Sequence, residues 1–340
     1  MYREIFYGGD SPEPFIFNFW TFHQKIYKNI FFYMYTINIM IENTLWLKRL
    51  VIAIFILSGL LIWKKMVPSQ TECFTQQLQP FVFKRDNDKY DSFYLEYYDD
   101  LHATENYSKD DMATITEKTH LSSDSSIFLD IGCGTGMLLE KLEQQGISAF
   151  GVDKSQSMID ACNARLQHTE VFCQDILNDS MLYDRDTFSH ITCTHFTIYE
   201  MENKEKLFNH CFHWLKGGGF MIIHLVDRDK YTKILPSISS GFQEMTTVTN
   251  TSLDYINYTY RNDYKKIQDK VTLFTETFTD KITEYVRKLE MKMFMDDKND
   301  ILQMAVNSGF IVLNQTPYNK NVKDPSQFLV VLVKPLCGEH

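Results

Sequence analysis

The chain has 340 residues, 44% of them hydrophobic and 23% charged, which is enough apolar material for a full core and excludes a disordered protein. Its formal net charge is −10, while residues 1–70 carry seven Lys/Arg against four Asp/Glu, so the acidity lies in the remainder. An acidic body is a poor partner for a phosphate backbone, which disfavours nucleic acid as a partner.

The N-terminal region differs in character from the rest of the chain. The stretch "LWLKRLVIAIFILSGLLIWKK" (45–65) holds fourteen uncharged residues from Leu50 to Trp63, bracketed by Lys48/Arg49 and Lys64/Lys65. With Lys48 and Arg49 snorkelling and Trp46 and Trp63 at the interfaces, it predicts a membrane-spanning helix, preceded by an apolar, aromatic segment within residues 1–44. The alternative is a core helix; a cleaved signal is disfavoured because some forty residues precede the run and "KKMVPSQ" offers no small-residue cleavage site. The upstream run "NIFFYMYTINIMI" (Asn29–Ile41) reads as a second interfacial or membrane segment, or as untranslated sequence if synthesis starts at Met40. Residues 66–89 read as a linker.

From Lys89 a Tyr-rich stretch, "KYDSFYLEYYDDLH", leads into alternating short apolar runs and helical patterns, which imply a parallel α/β sheet. The first strand is Ile127 to Ile131, followed by a helix from Met137 closed by Gly146. "AFGVD" is a second strand ending at Asp153, with a helix opening at Ser155. "EVFCQD" is a third, ending at Asp175, and "FSHITCT" a fourth. A helix over Lys204 to Leu215 precedes a fifth strand in "GGGFMIIHLVD". A last helix lies in "NDILQMAVNSGF", and "QFLVVLVK" is the final strand. Between the fifth strand and the last helix, Arg228 to Phe294 forms an insertion whose period-2 patterns predict three antiparallel strands. It serves as a lid or substrate wall lined by Tyr255, Tyr258 and Tyr260, or packs on the core or a second subunit.

In such a sheet, ligands sit beyond the strand C-termini, and the first strand-to-helix turn is where a nucleotide meets bare backbone. Here that turn is "GCGTG": Gly132, Gly134 and Gly136 follow G-x-G-x-G, whereas a dinucleotide turn is G-x-G-x-x-G. A nicotinamide-dependent reductase is therefore disfavoured. Asp130 precedes the turn and would repel a pyrophosphate, yet it can bind an ammonium group. Asp153 is placed for ribose hydroxyls and Asp175 for an adenine amino group. A ligand with ribose, adenine and a cationic amino-acid tail, without phosphate, fits this set.

In "LDIGCGTG", "GVDKS", "CQDI" and "WLKGGGFMIIHLV", over roughly residues 90–335, the chain resembles the class I S-adenosylmethionine-dependent methyltransferases. "YYDDLH" (Tyr97–His102) is similar to the helix that often precedes the core in small-molecule members. The resemblance implies a Rossmann-like, doubly wound sheet of seven strands with the antiparallel insertion before the last helix, S-adenosyl-L-methionine as cofactor, and in-line methyl transfer from its sulfonium. Carried onto this sequence, cofactor contacts fall on Asp130, Gly132, Cys133, Gly134, Gly136, Asp153, Lys154, Asp175, Ile176, Thr194 and Tyr98. His195, in "CTHFTIYE", is a candidate general base or a packed structural residue. Tyr98 covers the cofactor or belongs to the core, and His224 reads as structural. Nucleobase methylases usually carry Asn/Asp-Pro-Pro-aromatic after the fourth strand, whereas this chain has "THFTIYE" there. The acceptor is left open among small molecules, lipids and proteins, and the competing reading is a non-catalytic binding protein on the same fold.

The seven cysteines (73, 133, 162, 173, 193, 211 and 337) form no CxxC pair, and most lie inside apolar runs. Reduced thiols are the expectation, and with the cytosolic origin of the methyl donor they predict a single span with the domain facing the cytosol. Five Asn-x-Ser/Thr sequons (Asn106, Asn178, Asn250, Asn257 and Asn314) are what an Asn- and Thr-rich chain produces by chance.

Overall fold

The computed structural model describes residues 27–31, 33–34, 49–58, 77, 79–178, 182–231, 250–254 and 257–336. The chain divides into two units, residues 1–72 and 73–340. In the first, every described residue is helical. Among the described residues no helix is long and apolar enough to cross a membrane. Of the span expected at 45–65, residues 49–58 form a helix, and residues 45–48 and 59–65 lie outside the described residues. Leu50, Ile52, Ile54, Phe55, Ile56 and Leu57 are 45–62% exposed, and Val51 is half-buried.

The second unit contains two sheets. The larger has seven strands in the order β11-β12-β6-β5-β2-β3-β4. β2 (Ile127–Ile131), β3 (Ser148–Asp153), β4 (Glu170–Cys173), β5 (Phe188–Cys193) and β6 (Leu215–Val226) run parallel. β11 (Ile311–Tyr318) and β12 (Asp324–Val333) close the edge antiparallel. This is the doubly wound arrangement the sequence predicts. β11, "IVLNQTPY", adds a strand that the chain-order reading passes over. Its partner is β12, whose turn-connected antiparallel pairing needs no helix between them.

Strand alternation sends apolar side chains to both faces. On one face Phe128, Ala149, Ile222 and Val331 pack against α2 (Thr104–Lys118), α3 (Met137–Gln144) and α4 (Gln156–Arg165). On the other, Leu129, Ile131, Ile191 and Ile223 pack against α5 (Lys204–Trp214) and α6 (Lys298–Asn307). The long apolar strands and the Leu138/Leu139/Leu142 stripe of α3 thus account for the core. They leave the strand C-termini free to carry polar groups.

The second sheet has five strands, β1-β10-β9-β8-β7. β7 (Asn250–Asp254), β8 (Tyr258–Gln268), β9 (Val271–Asp280) and β10 (Val286–Phe294) are four antiparallel strands where the sequence predicts three. β1 (Phe81–Arg85) arises within the segment read as a linker and pairs parallel with β10, from Phe81↔Val286 to Arg85↔Glu290. The sheet buries Tyr258, Tyr260, Phe278 and Leu289 against Phe93, Tyr94 and Leu101 of α1 (Ser92–His102). Tyr258 and Tyr260 are therefore core residues of this layer and not part of a substrate wall; Tyr255 lies outside the described residues. Strand parity groups tyrosines on one face, but only the packing of α1 decides which face is covered.

Candidate functional site

β2 ends at Ile131, and the turn after it is tied to β3: Gly132 N–H donates to Val152 O at 2.7 Å and Cys133 N–H to the same oxygen at 3.1 Å. Gly134 follows at φ +54°, and a β-carbon placed there would find no atom closer than 4.0 Å, the nearest being on Met158 and Tyr98. That open space is part of a cavity of about 320 Å³ at the C-terminal ends of the parallel strands. Such a volume is at the small end for a ligand site.

The cavity is bordered by Asp130 at the end of β2 and Gly132, Cys133 and Gly134 after it, by Asp153 at the end of β3 and Lys154 after it, and by Asp175 and Ile176 after β4. Thr194 and His195 after β5 and Tyr98 of α1 complete the set that the sequence nominates. Gly136, grouped with them from the sequence, does not border it. It begins α3 at φ +81°, and a β-carbon there would come within 2.5 Å of Cys162 Sγ, so its role is close packing of the turn on α4.

All three acids accept hydrogen bonds before any ligand arrives, and two of them are also desolvated. Asp130, 4% exposed, accepts from Thr192 Oγ1 at 2.7 Å. Burial pushes its carboxyl up to about 7, against the opposing pull of the Thr192 hydroxyl and of His195. Asp153 accepts from Gly134 N–H at 3.1 Å and Ser155 N–H at 2.8 Å, and burial pushes it up to about 6. Asp175, by contrast, is exposed and accepts from Leu177 N–H at 3.0 Å. Desolvated carboxyls such as Asp130 and Asp153 gain from a positively charged ligand.

Other groups at the rim were not nominated by the sequence. Tyr90, ahead of α1, donates to Glu200 Oε1 at 2.7 Å, and Lys154 Nζ lies 3.2 Å from Glu200 Oε2. Burial, then the Glu200 charge, raises the Tyr90 phenol well above its ordinary range, so it stays a donor. Thr197 lies over Gly132, where a β-carbon would approach its Cγ2 to 2.3 Å. Asp99 of α1 accepts from Thr135 Oγ1 at 2.7 Å in the glycine turn and from Arg165 Nη2 at 2.5 Å on α4. These partners come from distant parts of the chain, and only the "DD" after the tyrosines hinted at an acid there.

Residues 128–219 match the methyltransferase domain family. That segment runs from β2 into β6 and contains the glycine turn, the three acids and His195. Among curated proteins, the ubiquinone biosynthesis O-methyltransferase of Coxiella burnetii is 30% identical over 105 residues, 30% of this chain and 44% of the relative. The chain thus spans less than half the length of that relative. Phosphoethanolamine N-methyltransferase of Plasmodium falciparum is 26% identical over 192 residues, 47% of this chain and 68% of the relative. Among solved structures, an S-adenosylmethionine-dependent methyltransferase from Clostridium acetobutylicum superposes with a TM-score of 0.55 at 21% identity. It is matched over 98% of its length and 71% of this chain, which shows a shared fold.

Proposed function

We propose that the second unit is an S-adenosyl-L-methionine-dependent methyltransferase acting on a small molecule. The observation that carries this reading is the open space over Gly134, flanked by the strand-end acids Asp130 and Asp153 at a turn of G-x-G-x-G spacing. Asp130 would take the ammonium of the methionine moiety, Asp153 the ribose hydroxyls and Asp175 the adenine amino group. Cys133, Lys154, Ile176, Thr194 and Tyr98 would complete the contacts. The chain's contribution to transfer is then alignment of the acceptor with the methyl group, exclusion of water by Tyr90 and Tyr98, and acceptance of a proton by His195. The two curated relatives, with small-molecule substrates in their names, support the acceptor class.

Calorimetry of the full chain with adenosylhomocysteine and with NADH tests the cofactor. Binding of the first and not the second is expected; the reverse would sink the reading. The N-terminal anchor is proposed from the apolar run within 45–65 of the sequence alone; the described helix at 49–58 is too short to cross a membrane.

A further inference from the structure

Beside the cavity, two buried polar atoms have no hydrogen-bond partner among the described residues: Asp111 Oδ2 and His195 Nε2. They lie 3.5 Å apart. Asp111 sits on α2, fully buried, and its other oxygen accepts from Tyr318 OH on β11 at 2.5 Å. His195 borders the cavity with its ring a fifth exposed, and packs against Tyr107 at 5.0 Å between ring centroids. The backbone that aims it there is unusual: His195 and Phe196 stand at φ +51° and +71°, two successive non-glycine residues in the left-handed region. Strain of this kind persists where surrounding structure enforces it, and it clusters at functional sites. Packing alone would be served equally well by an apolar pair, since a buried carboxylate oxygen with no donor is destabilising.

Resting on the methyltransferase reading above, we propose that Asp111 is a positioning residue that holds His195 as proton acceptor for a methyl acceptor bearing a hydroxyl group. With its Nε2–H directed at Asp111, the ring keeps Nδ1 free as the basic atom. An oxygen lone pair forms the new O–CH3 bond as the C–S bond of the sulfonium breaks, leaving a neutral thioether. The hydroxyl proton passes to Nδ1, and the imidazolium so formed is compensated by the Asp111 carboxylate. A neutral amine or a thioether can attack without losing a proton first, so a buried base pair of this kind adds little for those acceptors. For a hydroxyl it removes the need to form a methylated oxonium.

Three measurements on the full chain test this. In 15N-histidine NMR with adenosylhomocysteine bound, the resonance that vanishes in His195→Gln should report a neutral ring protonated on Nε2; protonation on Nδ1 overturns the pair. With a 13C-methyl-labelled donor and a small-molecule extract of the source cells, the labelled product should be an O-methyl ether. N-methyl or S-methyl products alone overturn the hydroxyl acceptor. Absence of any labelled product overturns the methyltransferase reading instead, while the NMR result still decides the Asp111–His195 pair. Asp111→Asn should lower the maximal transfer rate about 10²-fold, within the range for acid–base catalysis, with adenosylhomocysteine affinity unchanged and partial recovery in Asp111→Glu. An unchanged rate overturns the role of Asp111, and if Asp111→Asn does not fold, the tautomer in the unmodified protein decides.

Discussion

Asp130 and Asp153 are carboxyls whose burial favours the protonated form, up to about 7 and about 6. For Asp130 the sign is clear: the folded state holds the proton more tightly than the unfolded one. Its contribution to the stability of the unliganded protein is therefore present at low pH and is lost as pH rises from about 4 to about 7, on the order of 4 kcal/mol. A ligand with an ammonium group reverses the preference by binding the carboxylate. We expect adenosylhomocysteine to bind more tightly as pH rises from about 5.5 to about 8 and to release protons near pH 6, seen as a buffer-dependent heat in calorimetry. A pH-independent affinity with no proton release would remove Asp130 from the ammonium site. Asp153→Ala should raise the dissociation constant at least tenfold, since each hydrogen bond to a charged acceptor is worth roughly 1.5–3 kcal/mol; an unchanged constant in a folded variant would remove the ribose assignment. Gly134→Ala should also abolish binding, with its β-carbon in ligand space. Because φ is +54° there, the variant should also lose roughly 1–2 kcal/mol of stability, a cost that the sequence alone did not foretell.

At the scale of elements, α1 is the piece that joins cavity to insertion. One side presents Tyr98 to the cavity and Asp99 to the glycine turn and Arg165. The other side lies on the second sheet, where Glu276 of β9 accepts from Lys89 Nζ at 3.2 Å, Tyr94 OH at 2.7 Å and Tyr260 OH at 2.8 Å. The insertion thus holds α1 through Tyr258 and Tyr260, and it also borders the cavity with Phe294 at the end of β10. Asp99→Ala should free the cavity side of α1 while leaving its packing on the sheet. Hydrogen exchange over Ser92–His102 should rise more than over α3, and adenosylhomocysteine affinity should fall several-fold. Equal protection of α1 in variant and parent would show that the second sheet alone fixes the helix. The solvent exposure of Asp99 and Arg165, 28% and 23% of their side chains, keeps the expected effect modest.

For the whole molecule, the proposed anchor and the proposed cofactor make a joint prediction. The five described cysteines, Cys133, Cys162, Cys173, Cys193 and Cys211, are free, and four of them are buried. In sealed membranes carrying the expressed chain, protease added from the cytosolic side should digest the second unit, and no glycan should appear at Asn106 or Asn257. Protection of that unit, or a mass shift reversed by a glycosidase, would overturn the orientation. Complete release of the chain by carbonate washing would overturn the anchor itself.

The parallel core was legible because its information is local: an apolar run, a turn residue and a helical stripe recur in register with the strands, and the acid at each strand end is fixed by that register. Asp130, Asp153 and Asp175 were therefore readable as one constellation before any coordinates. The position of β11 and the existence of β1 were not so readable, although the resemblance implied seven strands. "FVFKR" is too short to stand out of a polar segment, and its pairing with Val286–Glu290 is set by chain some two hundred residues away. The same reason hides Asp111 from the sequence. An acid on a helix reads as a solvated face, and only the docking of α2 beside β11 and the end of β5 buries it against His195. Sequence by itself determined the parallel strands, the glycine turn and which acids stand at the strand ends. Tertiary structure decided which face of the insertion is covered, which glycine packs on Cys162 instead of opening to the cavity, and which carboxylate His195 faces, because each depends on contacts between segments that no local pattern connects.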